Sequence, residues 1–376
     1  MRFIPFLFCF IIASVDIHAA ERVSPADSSL KVLKLPGKKG ACFTLRSATD
    51  PKGGTYLENM PKVLALKPAW NYSWGSDLVP NQPDSIEFIP MQWGSFTPPP
   101  TALYDKIKPL IQSNKVRFFL GFNEPDKSDQ SNMSVTKALS LWPYLQELNV
   151  PLGSPAAAND FGTWFNQFMD SVKVKGYRVD FICYHSYGGP NGTAFLNNVK
   201  LLYDTYKLPV LITEFAVADW SASSPANNKY SDAQVMNFMK EVLPALDTAS
   251  YVLGYAWFPF NRSSAAGTHS ALFEQDGSLS ALGEIYASHN SGGMISGTEP
   301  KSAERLRFRV NENRIYFPPD AVKPQTIHLY NMLGRKVFSV VSNEDVITLP
   351  AFPSGTYILK ISEKKATETR KVILAN

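Results

Sequence analysis

Between residues 41 and 260 the chain repeats one pattern: a short, continuously apolar run followed by a stretch with helical periodicity. Eight such runs can be marked, at 41–46, 63–70, 86–93, 116–122, 151–157, 179–184, 209–215 and 252–258, each rich in β-branched or aromatic residues. The clearest helical stretches are 134–148, 161–175, 194–206 and 231–246, and Ser231-Asp-Ala-Gln234 has the form of a capping box. An apolar run without alternation is a strand covered on both faces, and strand–helix–strand connections are right-handed, so the pattern calls for a parallel sheet layered with helices. Eight such units close a (β/α)8 TIM barrel of the α/β class, which takes about 250 residues. An open doubly wound sheet is the alternative, but no Gly-rich phosphate loop follows the first run.

Flanking segments divide the rest of the chain. Residues 1–20 carry Arg2, an apolar run from Phe3 to Val15, and small residues Ala19 and Ala20, which predicts a signal peptide with the mature chain starting near Glu21. That run is shorter than the roughly 20 residues of a membrane-spanning helix. A catalytic domain is expected over 21–287. Residues 288–302 are Gly/Ser-rich and read as a flexible linker. Over 303–376, alternating segments at 314–317, 326–330, 336–341 and 355–361 predict a small all-β sandwich.

Charge and cysteine usage exclude several functions. Residues 21–303 carry 24 Lys and Arg against 25 Asp and Glu, so the main domain lacks the basic stripe that nucleic acid requires, and an uncharged substrate fits better. Residues 304–376 carry 12 against 7, a surplus read as a solvated surface. Cys9 falls in the expected leader, and Cys42 and Cys183 are expected as buried free thiols on strands that are not neighbours. No Cys/His cluster has metal-ligand spacing, so a zinc enzyme is not expected.

Two runs end in carboxylates. Gly121-Phe-Asn-Glu-Pro-Asp126 closes the fourth and Val210-Leu-Ile-Thr-Glu-Phe-Ala216 forms the seventh, which places Glu124 and Glu214 at the face of a parallel barrel where active sites assemble. Either glutamate alone is as readily an ion pair or loop anchor. As a pair they supply what glycoside hydrolysis needs, a proton donor for the leaving oxygen and an ionised partner for the anomeric carbon. A separation of roughly 5 to 5.5 Å excludes an intervening water and predicts retention. Burial beside a second carboxylate is expected to raise the pKa of Glu124. Asn123 offers an amide to a sugar hydroxyl, and His185 a donor to a carboxylate or to sugar. Aromatics cluster at the run ends, Trp70, Tyr72, Trp74, Trp93, Tyr184, Tyr187 and Trp257, where rings stack on sugar faces or pack the core.

These motifs resemble clan GH-A of the retaining glycosidases. More narrowly, W-N-Y-S-W at 70–74, P-M-Q-W-G at 90–94, G-F-N-E-P-D at 121–126, Y-H-S-Y at 184–187 and I-T-E-F-A at 212–216 are similar to glycoside hydrolase family 128. The resemblance covers most of 41–287. It implies an endo-β-1,3-glucanase acting on a laminarin- or curdlan-like glucan without a cofactor, with Glu124 as general acid/base and Glu214 as nucleophile. Asn123, Trp257, Tyr184, His185, Trp70 and Trp93 are the expected substrate contacts. Gln92 stands where the family often has leucine. Residues 327–337 and 349–361 resemble the sorting domain of the type IX secretion system of Bacteroidetes, implying a secreted or surface-attached protein that meets the secretion machinery, and a monomer is expected. Rival readings are another clan GH-A specificity, β-1,4 or β-1,6, a catalytically silent polysaccharide-binding protein, and a carbohydrate-binding module at the C-terminus.

Overall fold

The computed structural model describes residues 33–79, 82–289 and, beyond them, 308–374 apart from 312, 319–320, 322, 332–334 and 364–365. The expected signal peptide and all but the first two residues of the expected linker lie outside the described residues. The chain divides into two compact units, Met1–Gly293 and Met294–Asn376. No helix among the described residues is long and apolar enough to cross a membrane.

The first unit is a mixed α/β fold. Its elements in order are β1 (Gly40–Cys42), α1 (Tyr56–Leu66), β2 (Trp70–Tyr72), β3 (Glu87–Phe88), α2 (Thr101–Gln112), α3 (Val135–Gln146), α4 (Thr163–Lys175), β4 (Ile182–Gly188), α5 (Gly192–Tyr206), β5 (Val210–Val217), α6 (Asp232–Thr248), β6 (Val252–Trp257) and α7 (Ala281–Ser288). Two three-stranded parallel sheets form, β1-β2-β3 and β4-β5-β6. Single parallel bridges link the segments between them: Met91 with Leu120, Phe119 with Leu152, Asn123 with Ala156, Gly153 with Phe181, and Lys39 with Tyr255. All eight residues of β5 are buried, the mark of a strand covered on both faces.

Alternate residues along these strands fill two separate cores. Cys42, Trp70, Ile89, Met91, Leu120, Cys183, Leu211 and Ala256 pack together in one. A larger one lies between strands and helices and holds Phe122, Trp142, Phe168, Ile212, Phe215 and Trp257. Cys42 and Cys183 are buried free thiols. Ser231 caps α6 with Gln234 in the reciprocal capping-box arrangement that its sequence announces.

One expected strand is corrected. Residues 63–66 belong to α1, because Thr55 and Glu58 cap each other's backbone and start a helix that carries through them. The strand follows at Trp70. Adjacent lysines then tie the first strand to the last two helices. The Lys38 ammonium donates to the carbonyls of Leu246, Asp247 and Ala249, and Lys39 donates to those of Tyr286, Ala287 and His289. These are carbonyls at helix C-termini, where a cation also meets the negative end of the helix dipole.

In the second unit, β7 (Arg309–Asn311), β8 (Arg314–Tyr316) and β11 (Val346–Thr348) form one antiparallel sheet. A second is built from β9 (Gln325–Asn331), β10 (Lys336–Ser342), β12 (Gly355–Glu363) and β13 (Ala366–Leu374). Ile315, Ile327, Leu329, Leu359 and Ile361 make their common core. Tyr357 is buried in it, its hydroxyl donating to Pro353, and so offers no ring face to a sugar.

A close backbone approach sets where the Glu124 segment lies. A Cβ on Gly121 would come within 2.9 Å of Gly153 O, Pro155 N and Ser154 O, so the two neighbouring segments meet only because residue 121 lacks a side chain. Gly121→Ala is expected to cost roughly 1–3 kcal/mol. Urea unfolding followed by tryptophan fluorescence measures it, since all seven tryptophans lie in the first unit.

Candidate active site

Glu124 and Glu214 converge, but each needs a local departure from regular backbone to do so. In β4 and β5 the register runs Tyr184 opposite Ile212 and then His185 opposite Glu214, so Thr213 is an extra residue, a β-bulge. Leu211 faces the inner core and Ile212 the helix layer. Strict alternation would turn Thr213 inward and Glu214 out toward the helices. The bulge re-aims Glu214 to the inner side, level with His185. Glu124 takes a left-handed backbone, φ +40°, with its N–H donating to Ala156 O at 2.7 Å and Pro125 following. A non-glycine residue there costs of order 1–3 kcal/mol, so the surrounding packing must hold it. Trp74 is left-handed as well, φ +55°.

The result is a buried cluster of charge. His185 stands between the glutamates, Nδ1 3.0 Å from Glu124 Oε1 and Nε2 3.4 Å from Glu214 Oε1. One ligand atom from each of the three residues lies within 4.8 Å of the others, which bounds the closest approach of the two carboxylates. Glu214 is caged by donors. Tyr72 O–H and Trp74 Nε1–H both donate to Oε1, at 2.8 and 2.7 Å, and Tyr187 O–H donates to Oε2. Lys127 Nζ faces Glu124 Oε2 at 3.7 Å.

Electrostatics follow from this packing. Burial disfavours the imidazolium of His185, but Glu214, Glu124 and Asp160 outweigh it and its pKa is raised. Burial likewise pushes Glu124 up, yet His185 and then Lys127 prevail, and its pKa is lowered. This corrects the expectation of a raised value, because the positive charges beside Glu124 are nearer than its fellow carboxylate is effective. Tyr72 and Tyr187 are pushed well up, by burial first and Glu214 second, so both stay protonated as donors. Asp160, wholly buried, is raised well above the carboxylate range by desolvation despite His185 beside it.

Glu124, His185 and Glu214 are the one cluster among the described residues with the composition to hold a metal ion. Several of their atoms already have partners. Glu214 accepts from three O–H or N–H donors and His185 Nδ1 meets Glu124, so a cation binding all three residues would displace donors from Glu214.

The other expected contacts divide. Asn123 is buried beside Glu124, its amide nitrogen 3.4 Å from Gln130 Oε1 and its Oδ1 without a partner. Trp93 is partly exposed, and its carbonyl accepts from Asn123 N–H. Gln92 turns back on its own loop to donate to Gly94 O. Trp70, Tyr184 and Trp257 are buried in the packed cores. Trp70 lies in the inner core with its Nε1–H on Lys38 O. Tyr184 stacks on Phe195 and Trp257 packs on Phe215 while donating to Ser270 O, both on the helix side. Tyr72, Trp74 and Tyr187 are visible in the sequence as run-end aromatics, yet they serve as hydrogen-bond donors rather than as platforms. Trp220, exposed and packed against Tyr187, is absent from the sequence reading because it sits on an irregular loop.

The geometry fixes one proton's behaviour. Since the charge of Glu214 helps to raise His185, Glu214→Gln is expected to lower the imidazole midpoint. A histidine-selective nitrogen–proton NMR titration measures the shift, and an unmoved midpoint would contradict the charge arrangement.

Comparison with known proteins bears on this cluster. Residues 48–286 match the model of the glycosyl hydrolase catalytic core, and residues 309–375 match the secretion system C-terminal sorting domain. A family 128, subgroup I endo-β-1,3-glucanase from Amycolatopsis mediterranei, solved with laminaritriose, is 31% identical with a TM-score of 0.56, covering 68% of this chain and 100% of that one. A subgroup II endo-β-1,3-glucanase from Sorangium cellulosum is 27% identical with a TM-score of 0.51, covering 67% and 98%. Alkali-sensitive linkage protein 1 of Schizosaccharomyces pombe is 35% identical over 180 residues, 45% of this chain, which spans about a third (32%) of that protein's length. With the catalytic-core model matched across more than half of its length, and the whole A. mediterranei enzyme covered at 31% identity, this chain belongs to glycoside hydrolase family 128.

Proposed function

We propose that the protein is a retaining endo-β-1,3-glucanase in which Glu124 is the acid/base and Glu214 the nucleophile. The observation that carries this reading is the pair of buried carboxylates with oxygens within 4.8 Å, one caged by three donors and the other held by a single histidine. Retaining glycosidases hold their carboxyl groups roughly 5 to 5.5 Å apart, whereas inverting ones leave room for a water. The chain's likeness to endo-β-1,3-glucanases solved with laminari-oligosaccharides supports the substrate.

Chemistry follows from the cage. Three donors hold Glu214 fixed for attack on the anomeric carbon, while Glu124 delivers its proton to the glycosidic oxygen and the leaving sugar departs. A covalent glycosyl ester of Glu214 results. Water then attacks the same carbon, Glu124 takes its proton, and the ester bond breaks with retention. Oε1 of Glu124 is held by His185, so Oε2 is the oxygen free to carry the proton.

The parallel pairings that pass from segment to segment and return through Lys39 and Tyr255 support a (β/α)8 barrel for the catalytic domain, taken as 21–287. The two antiparallel sheets of 303–376 suit a small sandwich. The sorting-domain match supports secretion or surface attachment by way of the secretion machinery, after removal of a leader at 1–20. The enzyme is taken to act as a monomer without cofactor.

Azide separates the two glutamates. Glu124→Ala and Glu214→Ala should each lower kcat on linear β-1,3-glucan by about a thousandfold or more. Azide added to the first should yield a β-glycosyl azide, and to the second an α-glycosyl azide, read by proton NMR. Interchanged products would reverse the roles, and inversion at the anomeric carbon in the unaltered protein would exclude the mechanism.

A further inference from the structure

We infer that Lys127 and Trp220 form the leaving-group side of the cleft, with Trp220 the platform for the departing sugar and Lys127 the group that couples occupancy of that platform to the protonation of Glu124. The inference rests on the acid/base role proposed for Glu124. It begins with the oxygen that His185 leaves free, Glu124 Oε2, which Lys127 Nζ faces at 3.7 Å. The same ammonium lies 3.8 Å from Asp129 Oδ1 and 5.9 Å from the centre of the Trp220 ring. A glycosidic oxygen that receives a proton from Oε2 has to enter where Lys127 now stands, and the sugar beyond that oxygen then meets Trp220.

Trp220 is built to present its ring. It is 63% exposed, more than either Trp93 or Phe161, and an indole in water forgoes a large hydrophobic gain unless something covers it. Its ring contacts Tyr187 and Phe260 edge to face. The backbone behind it is fixed by Asp219, which is buried, accepts from Ser221 and Lys229, pairs with the Lys229 ammonium, and donates its own N–H to Ala266 O. Asn228 adds bonds to the Ala265 and Ala266 carbonyls. A wide-open ring on a loop anchored this firmly is a preorganised surface, and a pyranose face is the ligand chemistry that stacks on an indole.

The coupling follows from the charges facing Glu124. His185 and Lys127 favour its ionised form, Glu214 across the cluster opposes it, Asp160 lies behind His185, and the Tyr187 hydroxyl is turned to Glu214. Asp129 shares Lys127, and Asp126 is spent on the backbone N–H groups of Ala158 and Asn159. A sugar on Trp220 parts Lys127 from Oε2, which favours the protonated acid needed to cleave the bond. When that sugar leaves, the ammonium returns and favours the carboxylate, the form that takes a proton from the incoming water.

The test compares full-length protein with Lys127→Met, Lys127→Arg and Trp220→Ala on laminarihexaose, measuring kcat/KM against pH and the ratio of transglycosylation to hydrolysis by mass spectrometry. Removing a positive charge beside Glu124 should carry the basic limb of kcat/KM to higher pH in Lys127→Met, while Lys127→Arg leaves it in place. Trp220→Ala should lower the transglycosylation ratio about tenfold, because an acceptor sugar uses the same platform. An unmoved limb in Lys127→Met or an unchanged ratio in Trp220→Ala overturns the inference while leaving the glucanase reading intact. Absence of any cleavage by the unaltered protein overturns the glucanase reading itself, and this inference with it.

Discussion

Two carboxylates buried within 4.8 Å of each other would repel strongly enough to protonate or separate, and in this protein a histidine between them and three donors around one of them make their proximity tolerable. Much of the local architecture serves that cluster. The bulge at Thr213 turns Glu214 to the inner side, the left-handed backbone at Glu124 and Trp74 aims one carboxylate and one donor, and the bare Gly121 lets the Glu124 segment lie against its neighbour. Each of these is locally unfavourable, by roughly 1–3 kcal/mol for a strained residue. They persist because the inner core below and the helix layer around leave the backbone no alternative path of comparable packing.

The cage also explains why the two glutamates differ. Glu214 is surrounded by neutral donors that satisfy its oxygens, and Tyr72 and Tyr187 hold their protons firmly because ionising them would add a third negative charge to a dry site. Glu124 instead has mobile or titratable partners, an imidazole and an exposed ammonium. Fixed donors suit a group that must remain an anion until it forms a bond. Adjustable partners suit the proposed acid/base, which changes its protonation state twice in one turnover.

The layering was legible because apolar runs and helical stretches differ in period, and the helices at 134–148, 161–175, 194–206 and 231–246 lie within two residues of those observed at both ends. The run at 63–70 misled because Val63-Leu-Ala-Leu66 suits either a strand or a buried helix face, and only the cap at Thr55 and Glu58 distinguishes them. The carboxylates were legible because an acid ending an apolar run has few places to go. The aromatics were not, for reasons of depth and face. Trp70, Tyr72 and Trp74 follow at intervals of two, but a strand rises about 6.6 Å over two residues, so Trp70 lies a layer beneath the cluster that the other two reach. Tyr184 and Trp257 stand on the helix-facing side of their strands, a parity that the bulge beside Tyr184 obscures from sequence.

The direction of the Glu124 shift is the sharpest consequence of reading charges in place rather than in sequence. Two nearby glutamates suggest a raised acid, as happens when like charges share a site with nothing between them. Here the intervening imidazole is itself raised by both carboxylates, so the positive charge is most stable where it separates them, and Lys127 adds a second. The charges beside Glu124 therefore favour its ionised form, the one required for the second half of the proposed reaction and the wrong one for the first. In the proposed coupling, a sugar that excludes water and parts Lys127 from the carboxyl supplies the missing push toward protonation, so that the acid is competent only when there is a bond in place for it to cleave.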